Sequence, residues 1–229
     1  MRTKMTGITT IIFDLDGTLL DTLEDLADGV NYALAQYGYP VRTMEEVRRF
    51  VGNGVSNLIE CSIQGGHDNP HFEECLQTFK DYYSIHMQVK TRPYVGVPEL
   101  LDALRSTNIK TAIVSNKFDR AVKELSREYF GDKIDVAIGE SALIHKKPAP
   151  DCVYQALAAL GVKAGEAIYV GDSEVDVRTA HNAGLICVGV TWGFREEEVL
   201  QKEGAEFIIH HPMELLDILG QKNNIRGGK

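Results

Sequence analysis

Residues 8–18 read ITTIIFDLDGT. The run from Ile8 to Phe13 is apolar and rich in Ile, the pattern of a strand buried on both faces, and it stops at Asp14. The same punctuation recurs along the chain. Thr111 to Val114 runs into Ser115, Val136 to Ile138 into Gly139, and Ala167 to Val170 into Gly171 and Asp172. Ile186 to Val190 runs into Thr191 and Trp192, and Phe207 to Ile209 into His210. Between these runs apolar residues fall at helical spacing: Leu100, Leu101 and Leu104 after Pro98, then Val122 and Leu125. Val153, Leu157 and Leu160 stop before Gly161, and Val175, Thr179 and Ala183 before Gly184, a C-cap signal. Strands alternating with helices predict an α/β fold, a doubly wound parallel sheet.

One segment breaks the alternation. From about Asp21 to His86 no strand-like run occurs. Leu23, Leu26, Val30, Ala33, Leu34 and Tyr37 line one helical face. Val47 and Phe50, then Val55, Leu58 and Ile59, predict short helices around the turn Gly52-Asn53-Gly54. Phe72, Leu76, Phe79 and Tyr83 predict another long helix. The expected organisation is a core of residues 1–20 and 87–229, with an all-helical domain of residues 21–86 inserted after the first strand. The polar tail Gln221 to Lys229 is expected to fray.

Composition narrows the partners. With 24 Lys and Arg against 33 Asp and Glu, the 229 residues carry a formal charge of −9. That argues against nucleic acid or an anionic membrane surface as the main partner. No apolar run approaches the ~20 residues of a membrane span, and Ile8 to Phe13 is too short for a signal-peptide core. Cys61, Cys75, Cys152 and Cys187 show no CxxC spacing. They read as buried small apolar residues in a reducing, cytoplasmic compartment, not a disulfide framework or zinc site. Oligomeric state, monomer or homodimer, is not readable.

Ligands of open parallel sheets bind at the carboxyl ends of the strands. There the chain places Asp14 and Asp16 after the first strand, Ser115 and Asn116 after the second, Lys147 in a later loop, and Asp172 and Asp176 after the fourth. Asp14, Asp16 and Asp172 brought together repel one another and require a hard cation, for which Mg²⁺ fits. Lys147 adds positive charge, Ser115 with Asn116 adds donors for phosphoryl oxygens, and backbone N–H groups of the Asp-Gly-Thr turn add more. The set suits phosphoryl transfer. Asp14 suits the nucleophile and Asp16 the general acid and base. Each piece has a plainer reading: a lone DxD as a turn, Ser115-Asn116 as a helix N-cap, Asp172 and Asp176 as helix-start acids. The joint order favours chemistry.

These motifs resemble the haloacid dehalogenase-like (HAD) hydrolases, whose pattern is DxDGT, then Ser or Thr, then Lys, then GDxxxD. The resemblance implies a Rossmann-like core with an inserted helical cap. It implies Asp14 as nucleophile and Asp16 as acid/base, and a metal held by the side chains of Asp14 and Asp172 with the backbone carbonyl of Asp16. It implies Ser115 and Lys147 on the phosphoryl group, and Asp176 supporting the metal or Lys147. Lys146 stands where relatives often carry Gly. The stretches DLDGTLLDTLEDLADGVNYAL, VRRFVGNGVSNLIE, RPYVGVPELLDAL, KKPAPD and VGDSEVDVRTAHNAG resemble the phosphoglycolate phosphatase-like branch in particular. Within the cap, Gly52, Asn53 and Gly54 are expected to face the site, and Arg48 or Arg49 to pair with a substrate anion.

The resemblance implies a Mg²⁺-dependent phosphatase acting on a small phosphomonoester, 2-phosphoglycolate first. Pyrophosphatase, sugar-phosphate phosphatase, nucleotidase and phosphomutase share the same site. A signalling receiver domain and an inactive scaffold are the distant readings. His67 and His71, spaced i, i+4, are expected in an exposed loop. His210-His211 is expected in a surface turn, and Trp192 near the rim of the site.

Overall fold

β1 (Thr10–Phe13) is buried along its whole length. Alternation sends Ile11 and Phe13 into one hydrophobic cluster and Ile12 into the other, so both faces of the sheet are covered. The structure, a computed structural model, describes residues 5, 7–142 and 144–220. After β1 come β2 (Leu20–Asp21) and four helices: α1 (Leu23–Gln36), α2 (Met44–Phe50), α3 (Val55–Ser62) and α4 (Phe72–His86). The chain then returns through β3 (Arg92–Pro93) to α5 (Val97–Ser106), β4 (Lys110–Phe118) and α6 (Asp119–Phe130). β5 (Val136–Glu140), α7 (Asp151–Leu160), β6 (Ala167–Gly171) and α8 (Glu174–Ala183) continue the alternation. β7 (Ile186–Val190), α9 (Glu197–Glu203), β8 (Phe207–Ile209) and α10 (Glu214–Ile218) complete it.

The main sheet has the order β5-β4-β1-β6-β7-β8, and its strands pair in parallel. The chain builds outward from β1 to one side through β4 and β5, then crosses to the other through β6, β7 and β8. β1 is therefore where the order reverses, and the crevice above its carboxyl end is the natural ligand site. The apolar residues of α5 and α6 cover one face, and those of α7 and α8 the other.

The helical segment lies between two chain crossings that run side by side. β2 and β3 pair antiparallel, Leu20 with Pro93 and Asp21 with Arg92. Arg92 Nη2 lies 3.1 Å from Asp21 Oδ2. Asp25, at the start of α1, accepts the N–H groups of Lys90 and Thr91 at 2.8–3.0 Å. Two-residue strands carry no periodic signal, which is why sequence patterning does not find them. α2 begins in a capping box, with Thr43 N–H donating to Glu46 and Glu46 N–H to Thr43 Oγ1.

Two expectations are corrected. β4 does not end at Val114: it continues through Ser115, Asn116 and Lys117 to Phe118, with a register shift against β5 between Val114 and Phe118. The irregularity turns these polar residues toward the crevice while the strand continues. Cys61 is exposed, whereas Cys75, Cys152 and Cys187 are buried, and all four are free thiols. The α3 position of Cys61 lies off the buried face formed by Val55, Leu58, Ile59 and Ser62. The tail from Gln221 lies outside the described residues. Among the described residues no helix is long and apolar enough to cross a membrane.

Candidate active site

Asp14 is the first residue past β1, and its N–H still bonds to Val170 O at 2.9 Å, which continues the ladder to β6. The chain then turns through Gly17, whose φ of +85° favours glycine and whose missing Cβ leaves room for the Asp172 carboxylate. Asp172 follows β6 directly and is 1% exposed. It accepts from Thr18 Oγ1 at 3.2 Å and from the Phe194 N–H at 2.7 Å.

Lys147 is 2% exposed, and its ammonium lies between two carboxylates. Nζ is 2.9 Å from Asp14 Oδ1 and 2.7 Å from Asp176 Oδ1, with the Tyr169 hydroxyl at 3.0 Å. Burial disfavours the charge on Lys147, but the facing Asp14 and Asp176 carboxylates outweigh it and hold the ammonium protonated. Asp176 is saturated. Oδ1 accepts from Lys147 and Tyr169, and Oδ2 accepts from Ser173 N–H at 3.0 Å and Ser173 Oγ at 2.6 Å. The same carboxylate thus caps α8 and braces Lys147. A side chain at Gly171 would collide with Asp176, so glycine there lets helix and strand approach.

The backbone of Lys147 is held as firmly. Asn116 Oδ1 accepts its N–H at 2.8 Å, and Asn116 Nδ2 donates to its carbonyl at 3.0 Å. Nδ2 also donates to Gly52 O at 3.0 Å, across to the helical segment.

Asp14, Asp172 and Asp176 each bring one oxygen within 4.8 Å of the others. Burial, then repulsion from Asp176 and Asp16 set against attraction to Lys147, raises the Asp14 carboxyl to about 7. Burial and the neighbouring Asp176 and Asp14 raise Asp172 well above the usual carboxylate range. Such buried, mutually repelling carboxylates fit a hard divalent cation, which would relieve both effects. Because Asp176 is committed to Lys147, Tyr169 and Ser173, Asp14 and Asp172 are the pair fitted to hold it.

Asp16 does not point its carboxylate into this cluster. Both of its oxygens accept from Lys117 Nζ, at 2.9 and 3.0 Å. The Lys117 side chain is 1% exposed, and its ammonium lies 4.7 Å from the centroid of the Tyr83 ring, on α4. Burial lowers the proton affinity of Lys117, and the neighbouring Asp16 and Tyr83 more than restore it. Burial pushes the Tyr83 hydroxyl up to about 12.

The helical segment supplies the opposite wall of a cavity of about 530 Å³, part of it open to solvent. Its contribution is apolar or backbone: Leu26, Val51, Gly52, Gly54, Val55 and Leu58. Arg195, in the loop after β7, ties that wall to the core. Its Nε donates to Glu174 at 2.9 Å, Nη1 to Arg48 O at 2.9 Å and Nη2 to Val51 O at 2.7 Å. The guanidinium therefore satisfies carbonyls at the end of α2 that the helix leaves free.

Residues 11–190 match the family of haloacid dehalogenase-like hydrolases. The chain belongs to that family. It is 34% identical over 205 residues to a phosphoglycolate phosphatase from Pseudomonas putida, a match covering 87% of this chain and 75% of the relative. It is 29% identical over 218 residues to an N-acetylmuramic acid 6-phosphate phosphatase from Pseudomonas aeruginosa, covering 94% of this chain and 96% of the relative. Among solved structures it superposes with a TM-score of 0.86 on a candidate phosphoglycolate phosphatase from Lactobacillus delbrueckii subsp. bulgaricus. That match has 36% identity and covers 93% of this chain and 98% of the other. The chain is a phosphoric monoester hydrolase of the phosphoglycolate phosphatase-like branch. Phosphatases of this family generally use a divalent metal, consistent with the aspartate cluster.

In this hydrolase the core residues singled out in the sequence meet at one edge. Asp14, Asp16, Ser115, Asn116, Lys147 and Asp172 all line the cavity. Asp176 stands behind Lys147. The Asn116 amide, expected on a phosphate, is spent on Lys147 and Gly52. Gly52 and Gly54 line the cavity, but Asn53 and Arg49 do not. Asn53 offers its carbonyl to Lys146 at 3.1 Å. Arg49 projects outward, 69% exposed, and pairs with Glu45 one turn earlier at 3.2 Å. Arg48 is also off the lining. His67 pairs with Glu60, and His71 with the Tyr39 hydroxyl. His210 meets Thr191 Oγ1, and Trp192 donates to Thr18 O at 3.0 Å. Sequence reading missed Lys117 and Arg195. For Lys117 the signal was adjacency to Ser115 and Asn116; for Arg195 no local signal exists.

Proposed function

We propose that the enzyme hydrolyses 2-phosphoglycolate with Mg²⁺ through an aspartyl-phosphate on Asp14. The observation that carries the proposal is the buried Lys147 ammonium between Asp14 and Asp176, with Asp172 beside them. That arrangement places a strand-end carboxylate next to fixed positive charge, where phosphoryl oxygens can be neutralised. Residues 21–86 act as the cap over a core formed by 1–20 and 87–229. The free thiols suit a reducing compartment, the cytoplasm.

An oxygen of Asp14 attacks phosphorus, and the bond from phosphorus to the ester oxygen breaks. Lys147 and Ser115 hold the phosphoryl oxygens, with Asn116 positioning Lys147. The Asp16 carboxyl delivers its proton to the departing alkoxide. It then takes a proton from water as that water attacks phosphorus, which releases phosphate and restores Asp14. When bound by Asp14 and Asp172, with the Asp16 carbonyl as a third donor, Mg²⁺ supplies charge neutralisation and phosphoryl orientation. The cap wall excludes bulk water during the transfer.

The substrate reading rests on the 34% identity to the Pseudomonas putida enzyme and on a cavity that brings Lys117 and Lys147 to one side. A sugar-phosphate substrate is the second reading, favoured by the relative that acts on N-acetylmuramic acid 6-phosphate and is matched over 96% of its length. Phosphate release with Mg²⁺ and with EDTA, on 2-phosphoglycolate, N-acetylmuramic acid 6-phosphate, glucose 1-phosphate, pyrophosphate and a nucleoside monophosphate, decides between them. A kcat/KM for 2-phosphoglycolate about a hundredfold above the rest, some 2.7 kcal/mol, is expected. A sugar phosphate in the lead overturns the substrate, and undiminished turnover in EDTA overturns the metal.

A further inference from the structure

Three cationic side chains line the cavity: Lys147, Arg195 and Lys117. Their partners differ in one respect. Lys147 keeps Asp176, which has no part in bond breaking. Arg195 keeps Glu174 and the α2 carbonyls. Among the described residues Lys117 has a single carboxylate partner, Asp16, which occupies it with both oxygens. Asp16 is also the group that must reach the ester oxygen. Turning Asp16 away strands a buried ammonium under the Tyr83 ring, and an uncompensated buried charge is strongly unfavourable. The exchange is strongly favoured when another anion arrives at Lys117.

Resting on the acid/base reading of Asp16 and on the substrate class proposed above, we infer that Lys117 receives a second anionic group of the substrate. That group is a carboxylate one methylene from the ester oxygen, and it replaces Asp16 on the ammonium as Asp16 turns to the leaving group. Lys117 thereby sets specificity. A substrate with the carboxylate exchanges one ion pair for another, while a neutral ester must release Asp16 with nothing to replace it. The surrounding wall of Val55 and Leu58 offers no competing charge. The exchange swaps the partner of Lys117, and Asp16, freed from the ammonium, takes up one proton from solvent water, the proton it then delivers to the ester oxygen.

The test compares three esters on wild-type enzyme and on Lys117→Gln and Lys117→Arg: 2-phosphoglycolate, 2-phosphoglycolamide and ethyl phosphate. Wild type should prefer the acid to its amide by about a hundredfold, as sites built for a polar group reject analogues lacking it. In Lys117→Gln the preference for 2-phosphoglycolate over ethyl phosphate should fall by at least about tenfold, mainly because the acid loses rate. Lys117→Arg should recover part of that preference. A uniform loss across all three esters would mean that Lys117 only positions Asp16, and it overturns the inference. The wild-type acid-to-amide ratio keeps the question open to refutation if Lys117→Gln fails to fold, since a ratio near one overturns the inference without any variant. Absence of any wild-type preference for 2-phosphoglycolate overturns the substrate reading as well. A preference that survives in Lys117→Gln overturns only the role of Lys117.

Discussion

On the sheet side of the cavity, charged groups are buried and matched: Lys147 with Asp14 and Asp176, Lys117 with Asp16. The helical side presents Leu26, Val51, Val55 and Leu58, with backbone at Gly52 and Gly54. The first wall can stabilise charge but is fixed by its own pairings. The second can shape and dry a substrate but carries no charge into the cavity. On the proposed mechanism, reaction type therefore belongs to the strand ends, and the helices contribute fit and exclusion of water.

The largest expected effect is on the sheet side. Asp14→Asn removes the proposed nucleophile and should lower kcat on the order of 10⁴-fold or more, measured by phosphate release. Activity within tenfold of wild type would move the chemistry off β1. Asp176→Ala comes next. It leaves Lys147 with one carboxylate where two were buried, at a cost of roughly 3 kcal/mol in stability and about 10–100-fold in kcat/KM. Unfolding by denaturant with parallel kinetics would check both. If only stability falls, Lys147 does not depend on Asp176 for its position.

Cation addition tests the same wall through the pKa of Asp14. Burial raises its folded value to about 7, above the ordinary carboxylate value of 3.8, so the metal-free folded state holds the proton more tightly than the unfolded chain. Without metal, stability should fall as pH rises from about 4 to 7. Proton release also frees the cation site, so Mg²⁺ affinity should rise over the same window and level off above it. At pH 8 a hundredfold excess over Kd should add about 2.7 kcal/mol, read as a higher Tm. The gain should vanish in Asp172→Asn. A Tm increment independent of pH would disconnect the cation from these carboxylates.

Arg195→Ala probes the joint between the two walls. It removes the donors to Arg48 O and Val51 O and leaves Glu174 without its partner. A loss of about tenfold in kcat/KM is expected from a misplaced wall. The sheet-side chemistry should survive, so the metal-dependent Tm increment should be unchanged.

How much of this was legible in the sequence divides along the same line. The β1 and β6 runs, and the acids that follow them, are local patterns, readable because a buried parallel strand is a continuous apolar run. The helices of the insert were equally readable from their spacing, Leu23 to Leu34 in α1 and Phe72 to Tyr83 in α4. Lys117 and Arg195 were not. Their roles come from partners 101 and 147 residues away, and a lone Lys or Arg in sequence reads as solvated surface. Asn116 lines the cavity, but the use of its amide on Lys147 and Gly52 depends on two loops brought together only by the fold. Ser115 was expected past a strand end that the β4 irregularity displaces to Phe118.

Arg49 carries the smallest prediction and sharpens the comparison most directly. A pair of arginines beside a glycine turn invites assignment to an anionic substrate, yet Arg49 sits on the outer face of α2. Its guanidinium is engaged with Glu45 by an i, i+4 pair of the kind exposed helices carry. Only its carbonyl faces inward, 3.4 Å from Arg195 Nη2, and a side-chain substitution leaves that carbonyl in place. Arg49→Ala should therefore change kcat/KM for 2-phosphoglycolate by less than about twofold, within the range of ordinary surface substitutions. A tenfold rise in KM would put a cation of the helical wall on the substrate. The division between a charged sheet side and an uncharged helical side would then fail at the point where it is easiest to measure.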